Sequence, residues 1–258
     1  MHLNYLFGTT ISLNSTAAFL NDMMMSKRFL LFFALTLSLV ATNVCAVNRE
    51  YEVLIEIEDF EIYARELYLE LNEPDLEYDA FETALKGYVK LQKEGQIMEH
   101  SLLTVIDMSV SANRNRFFLI DIDKKKVIHK SIVAHGRNSG GEFAKYFSNE
   151  VGSFKSSIGF YKTGETYHGK HGLSLRLDGL EYTNNNARKR AIVVHAADYV
   201  SSVFIKKNGR LGRSLGCPSL PKENYDEVIH RIKGGSLLFI YYPEENYLKK
   251  SLLANYRI

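Results

Sequence analysis

Residues 101–133 read SLLTVIDMSVSANRNRFFLIDIDKKKVIHKSIV. Leu102–Asp107 is a short apolar run. Phe117–Asp121 and Val127–Val133 are two more, and they flank the polar quartet Asp123-Lys124-Lys125-Lys126. Runs this short, rich in branched and aromatic residues and closed by polar turns, predict strands, with the second and third joined as a hairpin. The pattern recurs downstream, predicting strands at Ser157–Tyr161, Leu173–Leu177, Ala191–His195 and Ser236–Tyr242. One late helix interrupts it. Tyr225, Val228, Ile229 and Ile232 fall at helical spacing, and Gly234-Gly235 closes the run. Many short strands with Gly and Asn turns argue for a mainly β fold, a sandwich or partly open barrel with a few helices.

Upstream the period changes. Residues 47–100 read as a helical N-terminal segment. Phe81, Ala84, Leu85, Tyr88 and Val89 form one apolar stripe, preceded by the turn Asn72-Glu73-Pro74-Asp75 and stopped by Lys93-Glu94-Gly95. This stripe is core-forming and carries no chemistry. Further upstream, Lys27 and Arg28 precede the twelve-residue apolar run Phe29–Val40, and Val44 and Ala46 stand at −3 and −1 of a cleavage site. That is the layout of a secretory signal peptide. The run falls short of the roughly 20 residues a membrane span needs. Residues 1–46 are therefore expected to be a leader, with translation starting at Met23, Met24 or Met25. Residues 101–258 are expected to form the following β domain, exported to the periplasm or cell envelope.

Composition excludes little else. The 258 residues are 46% apolar and 24% charged with 4 Pro, which excludes a disordered or collagen-like chain. A net charge of +2 gives no support for a nucleic-acid partner. Of two cysteines, Cys45 lies in the leader, so Cys217 is the one thiol expected in the mature protein. A lone thiol in an oxidising compartment is a candidate reactive group.

Its neighbourhood favours that reading over an inert core cysteine. The stretch 209–218 reads GRLGRSLGCP. Gly216 permits close approach of a ligand to the backbone, and Arg210 and Arg213 are expected to favour the thiolate. Such a nucleophile needs a base. His195 ends the apolar strand Ala191–Val194 and is the leading candidate, with His135, also after an apolar strand, as the rival. His129 is expected at the surface and His230 in solvent. His168 and His171 have a spacing compatible with a metal, but a loop with Lys170 beside them is a poor site, and neither metal nor cofactor is expected.

His, some twenty residues, then Ser-x-Gly-Cys resembles the catalytic domains of YkuD-type L,D-transpeptidases, and Gly-Arg-Ser-x-Gly-Cys-Pro is most similar to the murein L,D-transpeptidase subfamily. Val133-Ala134-His135-Gly136, Phe147-Ser148-Asn149, Gly152-Ser153-Phe154, residues 169–181 and 192–200, and Lys233-Gly234-Gly235-Ser236 share the resemblance. It implies a YkuD-type β fold, with residues 101–258 as an L,D-transpeptidase-like catalytic domain. It also implies a peptidoglycan stem peptide as substrate, Cys217 as nucleophile, His195 as acid–base group or ion-pair partner, and backbone N–H groups near Gly216 and Cys217 as the oxyanion hole. Ser214 is either an orienting hydroxyl or a turn hydroxyl. Arg213 and Arg176 are candidates for stem carboxylates. Either Asp198 or a backbone carbonyl is left to orient His195. Where the wider family has Ile/Val-Arg after the cysteine, this chain has Pro218-Ser219, so a cation there must come from Arg213, Arg210 or Arg176. The alternatives are a non-catalytic peptidoglycan-binding protein and a cysteine peptidase acting on polypeptides.

Overall fold

The computed structural model describes residues 59–98 and 102–256. The expected leader, its cleavage site and Cys45 lie outside them. Two helices come first, α1 (59–71) and α2 (Tyr78–Lys93). Strands β1 (Leu103–Asp107), β2 (Phe117–Asp121), β3 (Lys126–Ser131), β4 (Gly159–Gly169), β5 (Gly172–Gly179) and β6 (Val193–Ala196) follow. The chain ends with α3 (Ser202–Asn208), β7 (Ser219–Leu220), α4 (Tyr225–Ile232), β8 (Leu237–Tyr241) and α5 (Glu245–Lys250).

All eight strands belong to one sheet in the order β3-β2-β1-β8-β4-β5-β6-β7. The β1–β8 and β6–β7 pairs are parallel and the others antiparallel. The chain leaving β3 reaches the opposite edge, where Ala134 bridges Ser219 of β7: Ala134 N–H donates to the Ser219 carbonyl at 2.9 Å. The sheet is therefore a nearly closed barrel, which removes most exposed edge.

Strands β1, β2 and β8 are buried at every position, hence on both faces. Phe60, Ala64, Leu67 and Leu71 of α1 and Phe81, Leu85 and Tyr88 of α2 share one core with Val105, Phe160 and Phe239. Gly87 lets α2 press against the Phe160 ring, which a Cβ there would overlap. Phe160 itself stacks on Phe239 with centroids 4.1 Å apart.

Sequence periodicity located most of these elements. The extent of β4 differs: it runs eleven residues to Gly169, because past Lys162, where the β8 pairing ends, it continues as a hairpin arm with β5. The two-residue β7 and helices α3 and α5 were not anticipated, since α3 buries no side chain and α5 only Tyr247.

Two buried polar clusters lock the frame. Glu181 accepts from Phe160 N–H at 2.9 Å, Tyr247 Oη at 2.7 Å and Ser251 Oγ, tying the C-terminal helix to β4. Arg116, fully buried, donates to the Val133 carbonyl at 2.8 and 3.1 Å, the Val110 carbonyl at 3.1 Å and His135 Nδ1 at 2.9 Å. Burial, with the Arg116 and Arg213 charges behind it, pushes the His135 imidazole down to about 3. The unfolded value is about 6.5. The native state thus binds fewer protons than the unfolded chain between those values, and stability present above pH 6.5 is lost as pH falls through the window. The slope from this residue reaches about 1.4 kcal/mol per pH unit. Urea unfolding between pH 7 and 4 should therefore give a shallower pH dependence for His135→Gln than for the wild type, and parallel slopes would contradict the assignment.

Candidate functional site

Strand β6 ends in His195, whose register partner across the parallel pair is Ser219 of β7. Cys217 lies two residues before Ser219, in the turn that enters β7. His195 and Cys217 both line one cavity of about 420 Å³, together with Tyr167, Lys170, His171, Arg190, Tyr199, Arg213, Ser214 and Leu215. Leu215 is 55% exposed at the mouth.

The turn is held by Ser214. Its hydroxyl donates to the Cys217 carbonyl at 2.6 Å and accepts from Gly216 N–H at 3.1 Å. Its backbone is pinned to the neighbouring segment: Ser214 N–H donates to the His135 carbonyl at 2.9 Å and Arg137 N–H to the Ser214 carbonyl at 2.8 Å. Ser214 is thus a turn hydroxyl. The Gly216 N–H is committed to it, leaving the Cys217 N–H as the remaining donor of the pair expected to face an oxyanion. Gly216 adopts φ 126°, and a Cβ there would sit 2.8 Å from the Lys155 carbonyl oxygen. Only glycine accepts both constraints.

His195 is buried. Its Nδ1 lies 2.9 Å from the Ala196 carbonyl and its Nε2 3.0 Å from Ser219 Oγ. The orienting group is therefore a backbone carbonyl. Asp198 points away into an exposed ion pair with Lys222 at 2.6 Å. His171 stacks on the His195 ring with centroids 4.4 Å apart. Among the described residues, no group of three or more His, Cys, Asp or Glu could hold a metal ion. His135, the rival base, is sealed against Arg116 and does not line the cavity. His129 is half-buried, not at the surface as expected, with its ring against Phe117.

The Cys217 thiol is partly buried and lies 3.7 Å from the Ala191 carbonyl. Burial pushes it up. The Val193 N–H and the charges of Arg190 and Lys170 act in the opposite direction without overcoming it. Burial also lowers His195, helped by His171 and Lys170 and opposed by the Ala196 carbonyl. Burial thus works against the charged form of each group. The cations that act on the thiol are Arg190 and Lys170 rather than the expected Arg210 and Arg213.

The cation beside the thiol is Arg190, which sequence reasoning passed over. It sits in the basic run Arg188-Lys189-Arg190, which reads as an ordinary solvated face. In the fold its guanidinium donates to the carbonyls of Ser148 (2.7 Å) and Lys155 and to the hydroxyls of Ser157 and Ser153 (3.3 Å). Every one of these acceptors is neutral, so its charge is left uncompensated by a carboxylate among the described residues. Arg213 lines the cavity, its Nη1 bonded to the Arg137 and Gly140 carbonyls at 3.0 and 2.8 Å. Arg176 does not line it: it pairs with Glu165 at 3.0 Å and stacks behind Tyr167 at 4.4 Å. Arg210 caps its own turn at the Leu211 carbonyl.

Solved structures similar to this chain include an L,D-transpeptidase from Mycobacterium smegmatis, at 14% identity and a TM-score of 0.35, covering 55% of this chain and 59% of that one. A second is an L,D-transpeptidase from Xylanimonas cellulosilytica, at 11% identity and a TM-score of 0.32, covering 56% and 62%. A third is the helical cell shape determining protein Pgp2 of Campylobacter jejuni, at 14% identity and a TM-score of 0.39, covering 67% and 61%. The matched part spans about three fifths of the length of these proteins. No curated protein matches. The family model described as the L,D-transpeptidase catalytic domain matches residues 72–241, a span that takes in α2, all eight strands and both cavity residues His195 and Cys217, and the chain belongs to that family.

Proposed function

We propose that this protein is an exported cysteine acyltransferase acting on peptidoglycan stem peptides. The observation that carries the proposal is the meeting of Cys217, His195 and an uncompensated Arg190 in one cavity of a chain that belongs to the L,D-transpeptidase family. Cys217 Sγ attacks the carbonyl carbon of the third stem residue, a diamino acid. The carbonyl oxygen takes up negative charge, for which the Cys217 N–H would be a backbone donor. Collapse breaks the C–N bond to the terminal D-Ala and leaves a thioester on Cys217. An amine of a second stem or a water molecule then attacks the thioester, giving a cross-link or a trimmed stem.

His195 serves as general base and then as general acid. Burial disfavours both charges, so the thiol proton leaves as the carbon–sulfur bond forms. Arg190 supports the developing thiolate, because its neutral partners leave its positive charge available. Arg213, which lines the same cavity, would meet a stem carboxylate. Residues 1–46 read as an export leader, so the site would meet its substrate in the envelope. Among the described residues, no helix is long and apolar enough to cross a membrane.

Mass spectrometry of a disaccharide-tetrapeptide incubated with the protein tests the assignment. Loss of one D-Ala is expected, and Cys217→Ala should lower the rate by about 10⁴-fold or more without unfolding the protein. An unaltered substrate would leave a wall-binding role, and cleavage of an ordinary polypeptide instead would indicate a peptidase. The acid limb of kcat/KM should lie below pH 6.5, since His195 must be neutral and burial lowers its proton affinity. The thiolate absorbance of Cys217 should rise only above the ordinary thiol range near about 8.5. Arg190→Gln should slow iodoacetamide alkylation of Cys217 by about tenfold at pH 8, equivalent to roughly one pKa unit. An unchanged rate would remove Arg190 from the chemistry.

A further inference from the structure

Arg213 is held at the cavity by one nitrogen only. Its Nη1 donates to the Arg137 and Gly140 carbonyls at 3.0 and 2.8 Å, and among the described residues its Nε and Nη2 have no acceptor. A guanidinium carries five N–H donors in one plane, and its Nε–Nη2 edge matches the two oxygens of a carboxylate. Arg213 is thus oriented by neutral carbonyls and keeps that edge open, in a cavity that no Asp or Glu among the described residues lines.

Two things orient Arg213: its own backbone and the Gly140 carbonyl. Both are tied to one distant segment, the loop of residues 108–116 between β1 and β2. On the backbone side, Asn113 Oδ1 accepts from Leu211 N–H at 2.8 Å, between residues 98 positions apart in sequence. Leu211 is buried in a small second core with Ala112, Ala134, Ala197 and Val200. On the carbonyl side, residues 139–146 fold back on themselves. The Ser139 carbonyl accepts from Lys145 and Tyr146 N–H at 2.8 and 3.0 Å, and Gly140 bridges Ala144. Glu142, at the tip of this turn, docks on the same 108–116 loop. Its carbonyl accepts from Ala112 N–H at 3.1 Å and its carboxylate from Ser111 Oγ. The loop is braced internally, with Asn113 N–H donating to Ser111 Oγ at 3.1 Å.

We propose that the 108–116 loop is the positioning element for Arg213, and that Asn113 sets the grip of Arg213 on a stem carboxylate. Asn113 does not line the cavity and acts only through Arg213. The N–H groups of Gly212 and Ser214 go to the Tyr199 and His135 carbonyls at 3.0 and 2.9 Å, which any side chain at those positions would supply. The Leu211 N–H goes to a side chain, so this one tether depends on residue type. Without the carboxamide, a buried N–H two residues before Arg213 loses its partner, and the segment must shift to find another. The nucleophile is held separately, by the Ser214 hydroxyl on the Cys217 carbonyl. Loss of the tether therefore falls on substrate binding rather than on the chemical step.

This role rests on the acyl-transfer reading for its substrate, and two readouts separate them. In D-Ala release, Asn113→Ala should raise KM about tenfold with kcat within about twofold. Asn113→Asp, which keeps the acceptor oxygen, should recover most of the loss. Arg114→Ala is the control for general damage to the loop, since Arg114 faces solvent and pairs with Asp75 at 3.3 Å; its KM should match the wild type. In an Arg213→Gln background, Asn113→Ala should raise KM by less than about twofold, because the group it positions is gone. A wild-type KM in Asn113→Ala, or full additivity with Arg213→Gln, would overturn the proposal. The second readout needs no substrate. Amide hydrogen exchange of the 209–216 segment should quicken about tenfold in Asn113→Ala and stay near the wild-type rate in Asn113→Asp. Unaltered exchange in Asn113→Ala would refute the tether even if no stem peptide is turned over. Quickened exchange without D-Ala release in the wild type would refute the substrate and leave the positioning of Arg213 standing.

Discussion

The site depends on two residues of backbone pairing. Strand β7 is only Ser219 and Leu220, yet it lies between β6 on one side and the segment around Ala134 on the other. That double pairing closes the barrel, sets Ser219 opposite His195, and fixes the direction in which the chain arrives from Cys217. Pro218 contributes no N–H to it, so the ladder begins only at Ser219. The segment 132–137 reinforces it from outside, because the His135 carbonyl and Arg137 N–H grip Ser214 at the start of the same turn. Barrel closure and assembly of the site are therefore one event.

Two guanidinium groups serve this arrangement in opposite ways. Arg116 is wholly buried and spends its donors on carbonyls and His135, holding the segment that grips the turn. Arg190 is placed at the cavity and bonds four neutral acceptors from the loop between β3 and β4, which itself has no regular structure. A charge held by neutral acceptors keeps its field, whereas one paired with a carboxylate, as Arg188 is with Asp178 and Glu165, is largely cancelled. The contrast between Arg188 and Arg190, two positions apart, shows how a basic run can hold one structural and one electrostatic residue.

Much of the fold was legible from hydrophobic period. Strands β1, β2 and β8 are buried at every position, and apolar but for Thr104, Asp107 and Asp121, because both faces are covered, and α2 carries its stripe because one face meets the sheet. What periodicity missed has no apolar pattern to read: β7 is two residues long, and α3 buries nothing. At the site, Cys217, His195 and Gly216 stood out by residue type and spacing. Arg190 did not, because its role arises from acceptors more than thirty residues away in sequence. Arg176 looked equally suitable by type, but Glu165 and Tyr167 on the neighbouring strand take its charge and its face. Ser219 was visible only as a departure from the wider family pattern, and its hydrogen-bond partner could be found only in three dimensions.

The buried carboxylate of Glu181 bears on how the chain is made. Burial raises its proton affinity, and two of the donors that satisfy it, Tyr247 and Ser251, come from the last dozen described residues. During vectorial synthesis these donors leave the ribosome after every strand of the sheet. Until they arrive, Glu181 can be ionised only if water reaches the interior between β4 and the absent helix. The donors that satisfy Glu181 are therefore complete only after all eight strands have been made, so the hydrogen bonding beneath β4 is among the later parts of the core to be finished.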